Sequence, residues 1–249
     1  MGRILEICVD SLASARAAIA GGADRIELCS ALSIGGLTPY LALLQQIREE
    51  SDIPIRCLMR PRAGDFLYTP DEIRQMTRQI RELRAEGANG FVIGCLTPEG
   101  DLDAVAMTPL LEAADGAALT LHRCIDVSRD PLKTYLDAAA MGIDTVLTSG
   151  AAPNCSAGMD TIGNLLQLRE QRNGPEVLIG AGVNASVIAD FLARFPQARA
   201  FHMSGKQDIP SAMVFRREGV PMGIPGFDEW HIQQTDPEKV REAKQALQI

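Results

Sequence analysis

Short apolar segments alternate along this chain with longer segments whose apolar residues recur every three or four positions. The short segments are typical of buried strands, and the longer ones are typical of amphipathic helices. They repeat at intervals of about thirty residues, the length of one strand–helix unit. The eight predicted strands are Ile4–Val9, Arg25–Cys29, Ile55–Arg60, Gly90–Gly94, Ala118–Arg123, Thr145–Ser149, Glu176–Gly180 and Ala200–Met203.

Several predicted helices have clear start signals. The segment Thr69–Glu72 combines an N-cap threonine, a proline in the first turn and a glutamate that can complete a capping box. A threonine–proline pair at position 38 and aspartate–proline pairs at positions 130 and 236 are expected to begin three further helices in the same way.

A turn motif recurs where three of these helices lead into the next strand. It consists of a glycine, an apolar residue and an Asp or Asn, at residues 22–24, 87–89 and 142–144. These turns precede the second, fourth and sixth predicted strands. The reuse of one turn in every second unit, with eight alternating units and no linker, predicts an α/β fold with a single (β/α)8 TIM-type barrel.

We expect one domain over residues 1–249, with the barrel at about residues 3–205. The segment 204–234 is rich in glycine and proline and is expected to cover one barrel end, and a last helix follows it. The carboxyl ends of the strands carry the functional site in this architecture. Residues at these positions are therefore the first candidates for chemistry.

Composition and charge exclude several classes of protein. With 46% hydrophobic and 22% charged residues, a disordered chain is not expected. A net charge of −8 argues against partners such as nucleic acid or an anionic membrane. Glu6 and Asp10 interrupt the first apolar run, so a signal peptide is not expected there. The six cysteines are dispersed and form no CxxC motif, which favours free thiols in a reducing, cytoplasmic setting.

Two neighbouring predicted strands carry glutamates inside their apolar runs. The segments Leu5–Cys8 and Ile26–Cys29 share the pattern apolar, Glu, apolar, Cys. Since side chains alternate along a strand, Ile7 and Leu28 should face the helices, while both glutamates and both cysteines point into the barrel. A buried carboxylate is costly unless it is paired, so these glutamates need cationic partners.

The ends of the other strands offer such partners and suggest a site. Arginines and histidines at the strand ends should meet Glu6 and Glu27 at one mouth of the barrel. Glycines after the seventh strand and a serine after the eighth suit an anion, although a plain turn explains the glycines equally well. A structural ion-pair network that fills the barrel is the alternative interpretation of the charges. The candidate catalytic residues are Glu27, His122, Asp126 and His202, and the candidate anion-binding residues are Arg60, Arg62, Asp65, Arg123, Ser149, Gly180, Gly182 and Ser204.

Cys8 and Cys29 allow two interpretations. They can be small buried apolar residues, which is common for free cysteine. Alternatively, because adjacent strands lie about 4.8 Å apart, two thiolates at matching levels can share one soft metal ion such as Cu(I).

Taken together, the motifs resemble those of the CutC family, described as copper homeostasis proteins. The resemblance extends to about residue 219, and the Arg-Pro-Arg stretch at 60–62 is its sharpest element. It implies a TIM-type barrel, a cytoplasmic location, homo-oligomers (dimer or tetramer) and Cu(I) binding at Cys8 and Cys29. The matching stretches are Glu6–Cys8, Gly22–Cys29, Gly35–Pro39, Arg60–Phe66, Tyr68, His122–Arg123, Leu147–Gly150, His202 and Ser204.

Two functional hypotheses follow. The first is a cytoplasmic Cu(I)-binding protein with Cys8 and Cys29 as ligands. The second is an enzyme acting on a small phosphorylated or carboxylated substrate, because bidentate arginines suit such groups and copper leaves them unexplained. In such an enzyme, arginines 60, 62 and 123 would bind the anionic group. His122 or His202 would transfer protons, and Glu27 or Asp126 would orient the histidines or act as the base. A barrel that only oligomerises is a third and weaker alternative.

Overall fold

Eight parallel strands close into a barrel in this computed structural model, in which residues 2–217, 219–220, 222–223, 226 and 228–248 are described. Each strand pairs with the next along the chain, and the last pairs with the first. The predicted TIM-type barrel is therefore confirmed. The strands are β1 (Ile4–Val9), β2 (Arg25–Leu28), β3 (Ile55–Leu58), β4 (Gly90–Ile93), β5 (Ala118–Leu121), β6 (Thr145–Thr148), β7 (Glu176–Ile179) and β8 (Ala200–Met203).

Helices follow the strands and pack their apolar faces on the outside of the barrel. The Thr69 hydroxyl accepts a hydrogen bond from the Glu72 backbone and the Glu72 carboxylate accepts one from the Thr69 backbone, which confirms the predicted capping box. The α-helices are α1 (Leu12–Ala20), α2 (Leu41–Glu50), α3 (Pro70–Ala85), α4 (Ala104–Ala114), α5 (Pro131–Ala140), α6 (Met159–Arg172), α7 (Ala185–Arg194) and α8 (Pro237–Ala246). Short 3-10 turns occupy Leu32–Ile34 and Arg123–Val127.

Two local predictions need correction. Helix α2 begins at Leu41, with no side-chain cap, rather than directly after the threonine–proline pair at position 38. The Thr38 hydroxyl is used elsewhere, because it accepts a hydrogen bond from the Arg60 backbone at 3.0 Å. In addition, strands β2 to β7 end one or two residues earlier than predicted. The chain leaves the ladder there, so Arg60, His122 and Arg123 lie just beyond their strands.

The recurring turn has a structural role that the sequence did not reveal. Each glycine of the motif has a positive φ, between 78° and 93°, which glycine adopts without steric cost. Each Asp or Asn then accepts a hydrogen bond from the first part of the preceding strand. Asp24 binds the Leu5 N–H at 2.7 Å, Asn89 binds that of Ile55 at 2.8 Å and Asp144 binds that of Leu119 at 2.6 Å. This side-chain clamp fastens β1, β3 and β5 to the turns before β2, β4 and β6.

The two faces of the barrel wall differ as the alternation predicts. Ile7 and Leu28 belong to the large apolar core between strands and helices. Cys8 and Cys29 belong instead to a small interior cluster with Leu58 and Val92. The inward positions of β1 and β2, together with Cys29 directly after β2, therefore place the glutamates and cysteines inside the barrel.

A two-stranded antiparallel hairpin follows β8. It consists of β9 (Lys206–Pro210) and β10 (His231–Thr235), and the Thr235 N–H donates to the Ser14 hydroxyl of α1 at 3.1 Å. The connecting arm, residues 211–230, is exposed over most of its described positions. Among the described residues, no helix has both the length and the apolar character needed to cross a membrane.

The clamp yields a stability prediction. Asp144→Ala removes the acceptor of the Leu119 N–H and should destabilise the protein by about 1–3 kcal/mol. For a chain of this size, this corresponds to a fall in melting temperature of about 2–4 °C per kcal/mol. Asp144→Asn retains an acceptor oxygen and should therefore lose much less stability. Thermal unfolding followed by circular dichroism measures both, and equal losses for the two variants would contradict the clamp.

Candidate functional site

A cavity of about 740 Å³ opens at the carboxyl ends of the strands. It brings together residues from seven strand ends and from the hairpin, so the predicted convergence at one mouth is observed for Glu27 and for the arginines and histidines other than Arg62, but not for Glu6. Its polar lining includes Cys8, Asp10, Glu27, Arg60, His122, Arg123, Asp126, His202, Ser204, Lys206, Gln233, Gln234 and Thr235.

One layer of charged residues crosses the barrel interior below this cavity. Glu6 is level with Arg25 on one neighbouring strand and with His202 on the other. Its carboxylate accepts hydrogen bonds from Arg25 Nε at 2.5 Å and binds His202 Nδ1 at 2.8 Å. Burial raises the pKa of Glu6, but Arg25 and His202 outweigh it and lower the pKa to about 2. Glu6 is therefore an anion at neutral pH.

His202 connects this layer to a thiol at the cavity floor. One ligand atom each of Cys8, Glu27 and His202 lies within 4.8 Å of the others, and we call these three residues the Cys8 cluster. His202 Nε2 is 3.8 Å from the Glu27 carboxylate. Burial alone would lower the pKa of His202, but the fields of Cys8 and Glu27 and hydrogen bonds with Cys8 and Glu6 raise it well above its ordinary value. The imidazole is therefore held in its protonated form.

Cys29 lies beside this cluster rather than within it. The Cys29 thiol donates to the Glu27 carboxylate, with the sulfur 3.4 Å from the oxygen. Complete burial, followed by the charge of Glu27, raises the pKa of Cys29 well above its usual range. Burial also raises the pKa of Glu27 itself. All six cysteines of the chain are buried and free.

Arg60 is a buried cation held by backbone oxygens. Its Nη atoms donate to the carbonyls of Ile34, Gly36 and Gly64 at 2.9–3.1 Å, and its guanidinium stacks on the Phe66 ring. Its Nε has no hydrogen-bond partner and is shielded from solvent. None of the ion pairs in the described part of the chain, including those of the neighbouring Arg62 and Arg123, involves Arg60. Carbonyl groups orient the guanidinium but leave its charge uncompensated.

His122 is buried next to Arg60 in the opposite protonation state from His202. Its Nδ1 accepts a hydrogen bond from the Cys124 N–H at 3.1 Å, and its Nε2 has no partner. Burial, and then the charge of Arg60, lower the pKa of His122 to about 3. The neutral ring therefore carries its hydrogen on Nε2. We call Arg60 and His122 the donor pair, because each has a buried nitrogen, Nε and Nε2 respectively, whose N–H has no acceptor.

Arg123 and Asp126 line the cavity rim and form a network with Ser149, which is fully buried and does not belong to the lining. The Asp126 carboxylate accepts from Arg123 Nε at 2.7 Å, from the Thr148 and Ser149 hydroxyls and from backbone N–H groups of Ser149 and Ala151. Arg123 also donates to the Ser149 hydroxyl at 2.8 Å. With this many donors, Asp126 anchors the loop after β6, and Arg123 is left half-exposed at the rim.

The remaining predicted residues divide into two groups. Gly182 and Ser204 line the cavity. Arg62 and Asp65 pair with each other at 3.0 Å, and Arg62 also pairs with Glu72 at 2.6 Å, so neither belongs to the cavity lining. Gly180 lies outside the lining too, and an added Cβ there would stand 2.6 Å from Leu147.

Two buried arginines of the interior layer were not predicted from the sequence. Arg25 pairs with Glu6, and Arg56 donates to the hydroxyls of Thr120 and Thr145 at 2.5 and 2.9 Å. Burial lowers the pKa of Arg56 to about 10. The signal was present, since Arg25 is two residues before Glu27, and Arg56 is four before Arg60, on the same strand faces.

The Glu6 layer predicts a pH-dependent stability. Glu6→Gln leaves Arg25 and His202 without their shared anion and should cost about 3–5 kcal/mol at pH 7. Because the folded pKa of Glu6 is about 2 and its ordinary value is 4.5, this stabilisation is complete above pH 4.5 and is lost as the pH falls towards 2.

Urea unfolding at pH values from 7 to 3 measures the effect. The gap between the wild type and Glu6→Gln should narrow below pH 4.5. The control is Glu50→Gln, which removes an exposed pair with Arg16 and should change stability far less. A gap that stays constant over this pH range would contradict the ionised Glu6.

Comparisons with known proteins agree with this architecture. A CutC family protein of Porphyromonas gingivalis (strain ATCC BAA-308 / W83) is 43% identical over 249 residues, covering 100% of this chain and 99% of that protein. One from Vibrio campbellii (strain ATCC BAA-1116) is 37% identical over 249 residues, covering 99% of this chain and 100% of that protein.

Among solved structures, one described as a copper homeostasis protein CutC from Streptococcus agalactiae has a TM-score of 0.75 and 25% identity, covering 81% of this chain and 98% of that chain. Phosphoribosylanthranilate isomerase from Pyrococcus furiosus, with a TM-score of 0.58 and 14% identity over 99% of this chain and 98% of its own, shares the barrel fold alone. The CutC family model matches residues 3–207, and the chain belongs to the CutC family.

Proposed function

We propose that this protein binds copper as Cu(I) in copper homeostasis, with the Cys8 thiolate and His202 Nε2 as donors. The observation that carries the proposal is the Cys8 cluster, whose three ligand atoms lie within 4.8 Å of one another at an accessible cavity floor. Membership of a family linked to copper homeostasis supports the choice of metal.

The chemistry of the donors fits a soft ion. A thiolate selects Cu(I), and an imidazole also suits copper. Glu27, a hard ligand, serves better as the acceptor of the proton that Cys8 loses. Glu6 holds His202 Nδ1 and so fixes which ring nitrogen faces the cavity, the usual arrangement for a histidine ligand.

Protons compete with the metal at this cluster. Both donors must be deprotonated to bind, and the surrounding carboxylates favour the protonated form of His202. Copper binding should therefore release protons and become tighter as the pH rises.

The geometry favours His202 over Cys29 as the second ligand. The Cys29 thiol is engaged by Glu27 and completely buried, whereas His202 reaches the cavity. The pair Cys8 and Cys29, which the family resemblance implies, remains the competing donor set.

Location and assembly form part of the same proposal. Six free buried thiols suit the reducing cytoplasm. The arm between β9 and β10 exposes several large apolar residues, which suits association with a second copy of the chain. These residues are Met213, Val214, Phe215, Val220 and Met222.

Competition with a Cu(I) chelator under anaerobic conditions tests the donor set. Cys8→Ser should weaken binding by about 100-fold or more, because the soft ligand is lost. Glu6→Gln should weaken it by about 10–100-fold through His202. Cys155→Ser, a buried thiol outside the cluster, is the control and should bind as the wild type does.

Two further variants separate the alternatives. His202→Gln should weaken Cu(I) binding much more than Cys29→Ser does. A loss for Cys29→Ser as large as for Cys8→Ser would make Cys29 the second ligand. Reduced wild-type protein that fails to compete with the chelator, or that prefers Zn(II), would refute the proposal.

Sedimentation velocity tests the association through the arm. The double variant Val214→Asp/Phe215→Asp should shift the wild-type oligomer to monomer, because charge replaces exposed apolar surface. Val105→Asp is a matched control, since Val105 on α4 is 86% exposed but lies outside the arm. A monomeric wild type, or identical profiles for all proteins, would contradict the assignment.

A further inference from the structure

Copper binding at the Cys8 cluster leaves the donor pair without a role. We infer that Arg60 and His122 form a binding site for the carboxylate group of a small hydroxylated organic acid in the same cavity. Both side chains line the cavity, and they come from strand ends other than those of β1, β2 and β8.

The first observation is the uncompensated charge of Arg60. Three backbone carbonyls fix the guanidinium, and no carboxylate in the described part of the chain neutralises it. By contrast, Arg62, two residues away, is paired with both Asp65 and Glu72. Placing a buried cation without an anion is costly unless a ligand supplies the opposite charge.

The second observation is independent of the first. His122 Nδ1 already accepts the Cys124 N–H, so the ring can only donate from Nε2, and that atom has no acceptor. A buried donor without an acceptor costs free energy that a ligand oxygen would recover. Solvent is excluded from this nitrogen and from Arg60 Nε, so bulk water does not take that place.

The charge of the donor pair selects the ligand group. One uncompensated positive charge matches the single negative charge of a carboxylate, whose two oxygens can accept the three unused N–H groups, namely Nε and one N–H of Nη2 on Arg60 and Nε2 on His122. A phosphate dianion would bring a second negative charge, for which the donor pair offers no second cation.

The Phe66 ring packs against both residues of the donor pair. Its ring centre lies 5.3 Å from the Arg60 guanidinium carbon and 4.6 Å from the centre of the His122 ring. Since the two nitrogens are shielded, a bound carboxylate requires neighbouring side chains to shift, and we infer that Phe66 is one of them. The Phe66 ring then provides an apolar surface beside the bound group.

The rest of the cavity indicates the rest of the ligand. At about 740 Å³, it is far larger than a carboxylate, and carboxylates and hydroxyl groups line its other walls. Asp10, Glu27 and Ser204 can accept hydrogen bonds from ligand hydroxyl groups. A polyhydroxy acid satisfies both regions, whereas an apolar acid would leave these groups unpaired.

Calorimetric titration with gluconate tests the inference, with acetate as the smallest probe. Glucose, which keeps hydroxyl groups but lacks the carboxylate, and glucose 6-phosphate, which offers a phosphate instead, are the matched comparisons. Gluconate should bind and raise the melting temperature by a few degrees, and glucose should do neither. Glucose 6-phosphate should bind at least about 10-fold more weakly than gluconate.

Variants assign the effect to the donor pair. Arg60→Lys keeps the positive charge but lacks the guanidinium Nε–H, and His122→Phe removes the donor of the second residue. Each variant should therefore weaken gluconate binding by about 10- to 100-fold. Arg62→Gln alters the paired neighbour and should bind as the wild type does. Cys8→Ser should retain carboxylate binding, which separates this inference from the copper proposal.

A measurement on the wild type makes the test independent of whether the variants fold. Long-range proton–nitrogen spectra should show His122 as the Nε2–H tautomer, and gluconate should shift its Nε2 resonance. The inference is overturned if neither acetate nor gluconate binds, if glucose binds equally well, or if Arg60→Lys keeps wild-type affinity. It is also overturned if the His122 resonance does not respond to bound gluconate.

Discussion

The buried carboxylate of Glu6 is the constraint on which the interior of this barrel depends. An isolated anion there would be prohibitively costly, so the neighbouring strands must supply cations at the same level. Arg25 on β2 and His202 on β8 do so, because the register places both directly beside Glu6. One ion network thus joins the first, second and last strands across the seam where the barrel closes.

The same network sets the chemistry above it. By holding Nδ1 of His202, Glu6 directs Nε2 towards Cys8 and Glu27 and favours the protonated ring. Arg60 has the reverse effect on His122, which burial and a nearby cation keep neutral. Two histidines in one cavity therefore differ in charge because their nearest ionic neighbours differ in sign. The neutral His122 can only donate from its free Nε2, whereas the protonated His202 would have to lose a proton before its Nε2 could bind a metal ion.

The sequence predicted the barrel well because each level of evidence agreed. Eight apolar runs, their spacing and the repeated turn all indicated a closed eight-stranded barrel. The inward side chains of β1 and β2 followed from the alternation of side chains along a strand.

Prediction from the sequence failed where a side chain could serve two purposes. Thr38 is a residue type that often caps a helix, but its hydroxyl instead accepts a long-range hydrogen bond from the Arg60 backbone N–H. Arg62 matches an anion binder in type, yet Asp65 and Glu72 neutralise it, and such pairing depends on loop geometry. Arg25 and Arg56 lie within β2 and β3 rather than at their carboxyl ends, so the rule that strand ends carry the site does not predict them.

The clamp formed by Asp24, Asn89 and Asp144 has a consequence for the order in which the chain can assemble. Each of its hydrogen bonds joins residues only 19 to 34 positions apart. Closure of the barrel, by contrast, needs β1 to meet β8, with Glu6 and His202 separated by 196 positions. Contacts between near neighbours lose little chain entropy on formation. Strand pairs can therefore be secured in the emerging chain while its final strand is still being synthesised.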